Sequence, residues 1–346
     1  MCGLTAAFGK IDHQIHTVFE TMLSVSIVRG MDSVGVAGIG NKIAVVKDVV
    51  FPVELLRSKP YNEHILKNNN YCLLGHNRAA TRGTISQKNA HPFRYKHITL
   101  VHNGTLLTHI DNGPIKSETD SESIAIGIAN KGIEEVWKEL NGDASLVWFD
   151  ETTKAIHLLS NGKRPLVWSY TKDMKTALIA SDRWIIDKPC ENQWVPLYKD
   201  KVWKPDDHEM WTLSINPKTG LIQESTVTLE AKKSTVYSSQ YSPGYHYDEN
   251  TKGYSRNQSV IPFPKRNTTD STDVGIKDVS FIAKGLRTKP LMSKEEFVEM
   301  FDNCNGCGEA LEYQAATVVS DDICYCDGCV MIAEANFLNI ASLKGA

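Results

Sequence analysis

Over the first 230 positions, compact apolar runs alternate with short polar breaks. The spacing of Val18, Met22, Leu23, Val25 and Ile27 predicts a helix over His13–Val28. The runs Gly35–Ile39 and Ile43–Val46, joined at Gly40 and Asn41, predict a β-hairpin. Further strands are predicted at Tyr71–Asn77, Ile98–His102, Ala144–Asp150, Ile156–Leu159, Leu166–Trp168 and Ala177–Ala180, and helices at Ser121–Asn130 and Ile133–Leu140. Many strands with helices grouped between them point to layered α+β structure rather than a regular βαβ winding.

From about Ala231 to Gly275 the pattern lapses into Ser, Tyr, Asn, Thr and Pro with little Leu or Val. Such a stretch buries too little apolar surface to offset the entropy of ordering it, and it reads as a linker. Beyond Ile276, Ser293 with Glu296 three residues on has the form of a capping box. Val330–Leu343 predicts a closing apolar helix. The expected organisation is therefore a domain at 2–230, a linker at 231–275 and a small module at 276–346.

Composition narrows the class. The 346 residues suit about two domains, and 41% hydrophobic with 23% charged residues is ordinary for a globular protein. A net charge of −3 gives no electrostatic reason to expect nucleic acid or a membrane surface. No apolar run approaches the roughly 18 residues of a membrane span, and the N-terminus lacks a signal-peptide layout. A cytoplasmic location is expected.

Cysteine is unevenly placed. Beside Cys2, Cys72 and Cys190, five cysteines crowd the tail: Cys304, Cys307, Cys324, Cys326 and Cys329. A reducing compartment with metal-binding or catalytic thiols fits this better than a disulfide framework. Cys304 and Cys307, then eighteen residues, then Cys326 and Cys329 have the spacing of a four-thiolate zinc ribbon. Such a structural zinc leaves no open coordination position for catalysis, and Cys324 could substitute in the set. From Ile276 onward, six Lys or Arg stand against eleven Asp or Glu, a net of −5, which argues against phosphate binding and for protein docking or self-association.

Cys2 carries the candidate chemistry. With Met1 trimmed, its α-amine, which titrates near pH ~8, can serve as base to its own thiol. Taken alone, a cysteine here would be a buried strand residue. Five ordered segments change the reading: Arg29–Gly35 (RGMDSVG), Gly75–Gly83 (GHNRAATRG), Asn89–Phe93 (NAHPF), His102–Gly104 (HNG) and Thr119–Glu122 (TDSE). With lesser matches at Leu140–Ser145, Arg164–Leu166 and Ala180–Asp182, they resemble the class II, N-terminal-nucleophile glutamine amidotransferases, in particular the glutaminase domain of glucosamine-6-phosphate synthase. The resemblance covers about 185 to 230 residues.

The resemblance implies a four-layer αββα sandwich and cleavage of the glutamine side-chain amide through a glutamyl thioester. Cys2 is then the nucleophile, and Asn103 and Gly104 the oxyanion hole. Arg78 grips the α-carboxylate, Asp120 balances the α-ammonium and Thr81 touches substrate. In isolation, Arg78 would be a surface ion pair, Asp120 a helix-terminal carboxylate and Asn103-Gly104 a turn. His91 is read as support for the glutamine loop rather than as a general base, Asp32 and Ser33 as packing, and Arg29 is undecided. Ala79 stands where the sugar enzyme has a Trp that gates ammonia, and Arg82 where it has His. Both departures leave glutamine cleavage open but put the coupling partner in doubt. The sequence has no room for the acceptor domains that follow the glutaminase in large family members, so the ammonia acceptor is expected on a partner protein or absent. The alternatives are a stand-alone γ-glutamyl amide hydrolase and an inactive zinc-containing scaffold.

Overall fold

A computed structural model describes residues 2–107, 113–198 and 202–231, together with the backbone of four short strands farther on. The described part of 2–231 builds two six-stranded antiparallel sheets. The first runs β3 (Ile43–Asp48), β2 (Ser33–Ile39), β4 (Cys72–Arg78), β1 (Gly3–Gly9), β10 (Thr176–Ala180) and β9 (Val167–Tyr170). The second runs β12 (Ile222–Thr228), β11 (Glu209–Ile215), β8 (Ala155–Ser160), β7 (Gly142–Asp150), β6 (Ile98–Leu106) and β5 (Phe93–Tyr95).

Alternation of side chains across each strand gives each sheet two buried faces. Leu4, Ala6, Phe8 and Leu74 from the first sheet meet Val101, Val147, Phe149 and Leu158 from the second in a central core. The opposite face of the first sheet, with Ala7, Val36 and Leu73, packs on α1 (His13–Val25) and α6 (Arg183–Asn192). The short helices α2 (Pro52–Arg57) and α3 (Lys59–Tyr61) join that layer through Leu55 and Tyr61. The outer face of the second sheet, with Leu100, Leu146 and Trp148, packs on α4 (Asp120–Lys131) and α5 (Ile133–Glu139). The result is a helix–sheet–sheet–helix stack of the α+β class. At one end of the central core, Trp168 lies 4.8 Å from Trp211, and Trp203 lies 5.0 Å from Tyr170. Trp194, just past α6, is 89% exposed.

The hairpin, the paired strands and the two middle helices stand where the apolar pattern puts them. Helix α1 stops at Val25, and Ser26–Arg29 tightens into a 3-10 turn that carries Arg29 into the interior. β6 runs on through Asn103 and Gly104 to Leu106, where a strand ending at His102 was expected. Strands β5, β11 and β12 and helix α6 add to the expected elements.

Contacts set 233–279 apart as a second compact unit. Its described part is a hairpin of β13 (Tyr245–Asp248) with β14 (Gly253–Arg256). In the tail, β15 (Ala316–Ser320) pairs with β16 (Ile323–Cys326). The expected zinc ligands Cys304, Cys307 and Cys329, the capping box and the closing helix lie outside the described residues. Cys326 is the last residue of β16, described in backbone only. No helix among the described residues is long and apolar enough to cross a membrane.

Candidate active site

Cys2 immediately precedes β1, the strand that pairs with both β4 and β10. It is 8% exposed. Register brings Gly3 opposite Asn77, so the end of β4 delivers Arg78 and Ala79 to the sulfur. The Ala79 N–H donates to Cys2 Sγ at 3.3 Å, and the thiol donates to Ala79 O at 3.5 Å. Burial pushes the thiol's pKa up, against the pull of the Ala79 N–H and of Arg78 and Arg29. No histidine hydrogen-bonds the sulfur among the described residues.

The residue left undecided by sequence has a definite post. Arg29 is fully buried, donates from Nε to the Cys2 carbonyl at 3.1 Å, and pairs with Asp182 at 3.3 Å. Gly30 follows because the chain passes against the Arg78–Ala79 backbone. A Cβ there would stand 2.5 Å from Arg78 C and 2.6 Å from Ala79 N. Asp32 does more than pack: its Oδ2 accepts from the Ala80 N–H at 2.6 Å, fixing the segment that follows Arg78.

That segment is tied down at several points. The Arg78 guanidinium donates to the carbonyls of Arg82 and of Thr84, the latter at 3.3 Å. Glu118 accepts from Thr84 N at 2.8 Å, Lys88 Nζ at 2.5 Å and Asn89 Nδ2 at 3.2 Å. The Lys88 ammonium and the Thr84 donors hold this exposed carboxylate's pKa down to about 2. Nothing in the sequence pattern singles out Glu118.

The second sheet contributes the facing wall. Asp120 opens α4, and its Oδ2 accepts from Leu106 N at 2.7 Å. Thr81 Oγ1 meets Thr105 Oγ1 at 3.0 Å. Asn103 is 2% exposed, and its Nδ2 is a buried donor with no acceptor. Such a group costs roughly 1–3 kcal/mol where it is left unmet. Ala144, opposite Gly104 in the register, spends both its N–H and its carbonyl on Asn161. Since bonding alternates from edge to edge along an antiparallel ladder, the Gly104 N–H is turned away from β7.

Behind the wall, His76 and His91 stack with centroids 4.0 Å apart, and His76 Nε2 bonds the His102 carbonyl at 3.0 Å. His102 Nδ1 bonds Ser121 Oγ at 2.9 Å. Burial lowers the pKa of all three imidazoles, His76 to about 3. Both ring nitrogens of His91 lack a partner, and the ring borders the cavity.

Cys2, Arg78, Thr81, Gly104 and Asp120 thus converge on one cavity, whose walls also include Ala79, Arg82, His91, His102, Thr119 and Ser121. Asn103 lies next to Gly104 without lining it. The cavity holds about 20 Å³, room for about one water molecule.

No protein-family model matches the chain. Over 194 residues, 50% of this chain and 30% of the relative, it is 28% identical to glutamine–fructose-6-phosphate aminotransferase (isomerizing) of Bartonella henselae. Over 135 residues, 36% of this chain and 22% of the relative, it is 33% identical to the enzyme of that name from Sulfolobus acidocaldarius. The chain spans less than a third of the length of these relatives. Among solved structures, glutamine phosphoribosylpyrophosphate amidotransferase from B. subtilis superposes with a TM-score of 0.50 at 19% identity, over 65% of this chain and 49% of that one. A structure described as the allosteric regulatory enzyme of purine biosynthesis gives 0.52 at 18%, over 66% and 50%. Over about half its length, then, the chain is homologous to glutamine-dependent aminotransferases, and over about two thirds of it the fold is shared with a solved glutamine amidotransferase.

Proposed function

We propose that the chain is a glutamine amidotransferase of the N-terminal-nucleophile class, in which Cys2, freed of Met1, cleaves the side-chain amide of glutamine. The unpaired donor of Asn103, buried beside the cavity that holds Cys2, Arg78 and Asp120, carries the reading.

In this mechanism the Cys2 α-amine takes the thiol proton as Sγ attacks the amide carbon. The developing oxyanion accepts from Asn103 Nδ2 and the Gly104 N–H, whose positions are fixed beforehand by β6. Collapse expels ammonia, protonated by the same amine, and leaves a γ-glutamyl thioester on Cys2. Water then hydrolyses the thioester, releasing glutamate and restoring the thiol. Arg78 and Asp120 bind the α-carboxylate and α-ammonium, and Thr81 adds a hydroxyl. The cavity of about 20 Å³ is smaller than glutamine, so its walls must yield to admit the substrate.

Purified protein given glutamine should release glutamate and ammonia in equal amounts. Hydroxylamine should divert the thioester to γ-glutamyl hydroxamate. Arg78→Lys keeps the charge but loses the two-pronged grip on a carboxylate, and is expected to raise KM for glutamine about 10- to 100-fold. Absence of glutamate release from wild-type protein would favour the inactive scaffold. Release unchanged by any added partner would favour the stand-alone γ-glutamyl amide hydrolase over a subunit that feeds ammonia to an acceptor site on a partner protein.

We further propose a structural zinc on Cys304, Cys307, Cys326 and Cys329, supported by their spacing and by the position of Cys326 at the end of a β-hairpin strand. Elemental analysis should return one zinc per chain, lost in Cys326→Ser. A metal-free wild-type protein would refute it.

A further inference from the structure

Lys47 stands on β3, outside the cavity wall, yet its side chain governs a segment of that wall. Opposite it in the register is Gly35. The absence of a side chain at Gly35 lets the His91 backbone lie against the sheet: a Cβ there would fall 2.1 Å from His91 O and 2.5 Å from Lys47 Cβ. Lys47 reaches along this gap. Its Nζ donates to Ala90 O at 2.6 Å and to Pro92 O at 3.3 Å, the carbonyls on either side of His91. The same ammonium sits 4.5 Å from the centroid of Phe93. Gln87 Nε2 adds a bond to the Lys47 carbonyl at 2.9 Å.

What Lys47 holds leads directly into the site. His91 borders the Cys2 cavity and makes no hydrogen bond through either ring nitrogen, so packing and its backbone are what fix it. It stacks on His76, and His76 bonds the carbonyl of His102, the residue before Asn103. One half-buried cation on an edge strand therefore sets the backbone from which a pair of packed rings reaches the oxyanion-hole strand.

We propose that Lys47 is a positioning residue of this site: its ammonium clamps the two carbonyls flanking His91 and so keeps the imidazole in the wall of the Cys2 cavity. A hydrophobic residue of similar length would fill the gap without holding either carbonyl. The kinetic consequence rests on the glutaminase reading; the structural one does not.

Two variants and two readouts test it. Lys47→Met retains the stem and removes the donor, while Lys47→Arg retains a charged donor. In the first, kcat for glutamine hydrolysis should fall about 10- to 100-fold, the scale of a misplaced group near a reaction centre; the second should recover to within about threefold of wild type. Independently of turnover, iodoacetamide should label Cys2 at least about tenfold faster in Lys47→Met, because a loosened segment opens locally. Labelling of Cys72 and Cys190, read peptide by peptide in the mass spectrometer, should stay at the wild-type rate. Unchanged Cys2 labelling in Lys47→Met overturns the clamp, and so does a parallel rise at Cys72 and Cys190, which would mean general loosening. If wild-type protein hydrolyses no glutamine, the functional reading fails, while the labelling pattern still decides the role of Lys47.

Discussion

Replacing Cys2 with alanine is expected to lower glutamine hydrolysis by at least about 10⁴-fold, the scale seen when a covalent nucleophile is removed. Wild-type stability should persist, since the side chain fills little space. The more telling comparison is a chain with one extra residue ahead of Cys2. Burial raises the thiol's pKa, and among the described residues the sulfur hydrogen-bonds only the Ala79 backbone, so it needs a proton acceptor that the described side chains do not supply through a hydrogen bond. If that acceptor is the α-amine of the same residue, converting the amine to an amide should abolish turnover as fully as removing the thiol. Glutamate release in a steady-state assay measures both. Turnover that survives the extra residue but not Cys2→Ala would shift the base to an imidazole bordering the cavity, His91 or His102.

The second large effect is a loss of stability in mild acid. His91 and His102 are buried in the cavity wall, His76 is buried behind it, and His157 stacks on Trp148. Burial holds the pKa of each below the ordinary histidine value, to about 3 for His76 and about 4 for His157. A base with a lowered folded-state pKa binds its proton more readily in the unfolded chain. Its contribution to stability is therefore intact above pH ~6.5 and drains away as pH falls toward the folded value. Between pH 6.5 and 4.5, His76 alone should cost about 2–3 kcal/mol, with the others adding to it. Glu118 does not confuse this window. Its folded pKa is depressed, so its contribution is lost only below the ordinary carboxylate range. Urea unfolding at a series of pH values should show the midpoint falling steadily from pH 6.5 to 4.5, with more than one proton taken up on unfolding. A flat profile across that window would mean that these imidazoles are hydrated or already charged in the folded protein.

The parts of this molecule that repeat locally were legible in its sequence. The hairpin of β2 and β3 announces itself through Gly40 and Asn41, and α4 and α5 through their apolar spacing. The residues that converge on the cavity were legible too, because each sits in a short motif. What the sequence could not show are ties between residues far apart in the chain. Asp32 reaches Ala80, Glu118 reaches Thr84 and Asn89, and Lys47 reaches Ala90 and Pro92, in every case without any periodic signal. Arg29 was visible but mute: only its Cys2 and Asp182 partners reveal that it anchors the nucleophile's carbonyl. Helix α6 escaped notice because Pro189 lies within it. Strand β12, with all but its first residue exposed, lacks the alternation that marks a half-buried strand. Strand β6 ran past its expected end because Asn103 and Gly104 read as turn residues, whereas the ladder to β7 carries them on.

The aromatic seam at one end of the central core has an optical corollary. Trp168, Trp203 and Trp211 lie among side chains drawn from both sheets, close enough to exchange excitation, while Trp194 alone among the seven indoles stands almost wholly in water. A soluble quencher would silence that one chromophore first. The emission of Trp168 and Trp211, which face each other from the two sheets, would then report the parting of those sheets, over a background from Trp137 and Trp148 on the outer side of the second sheet.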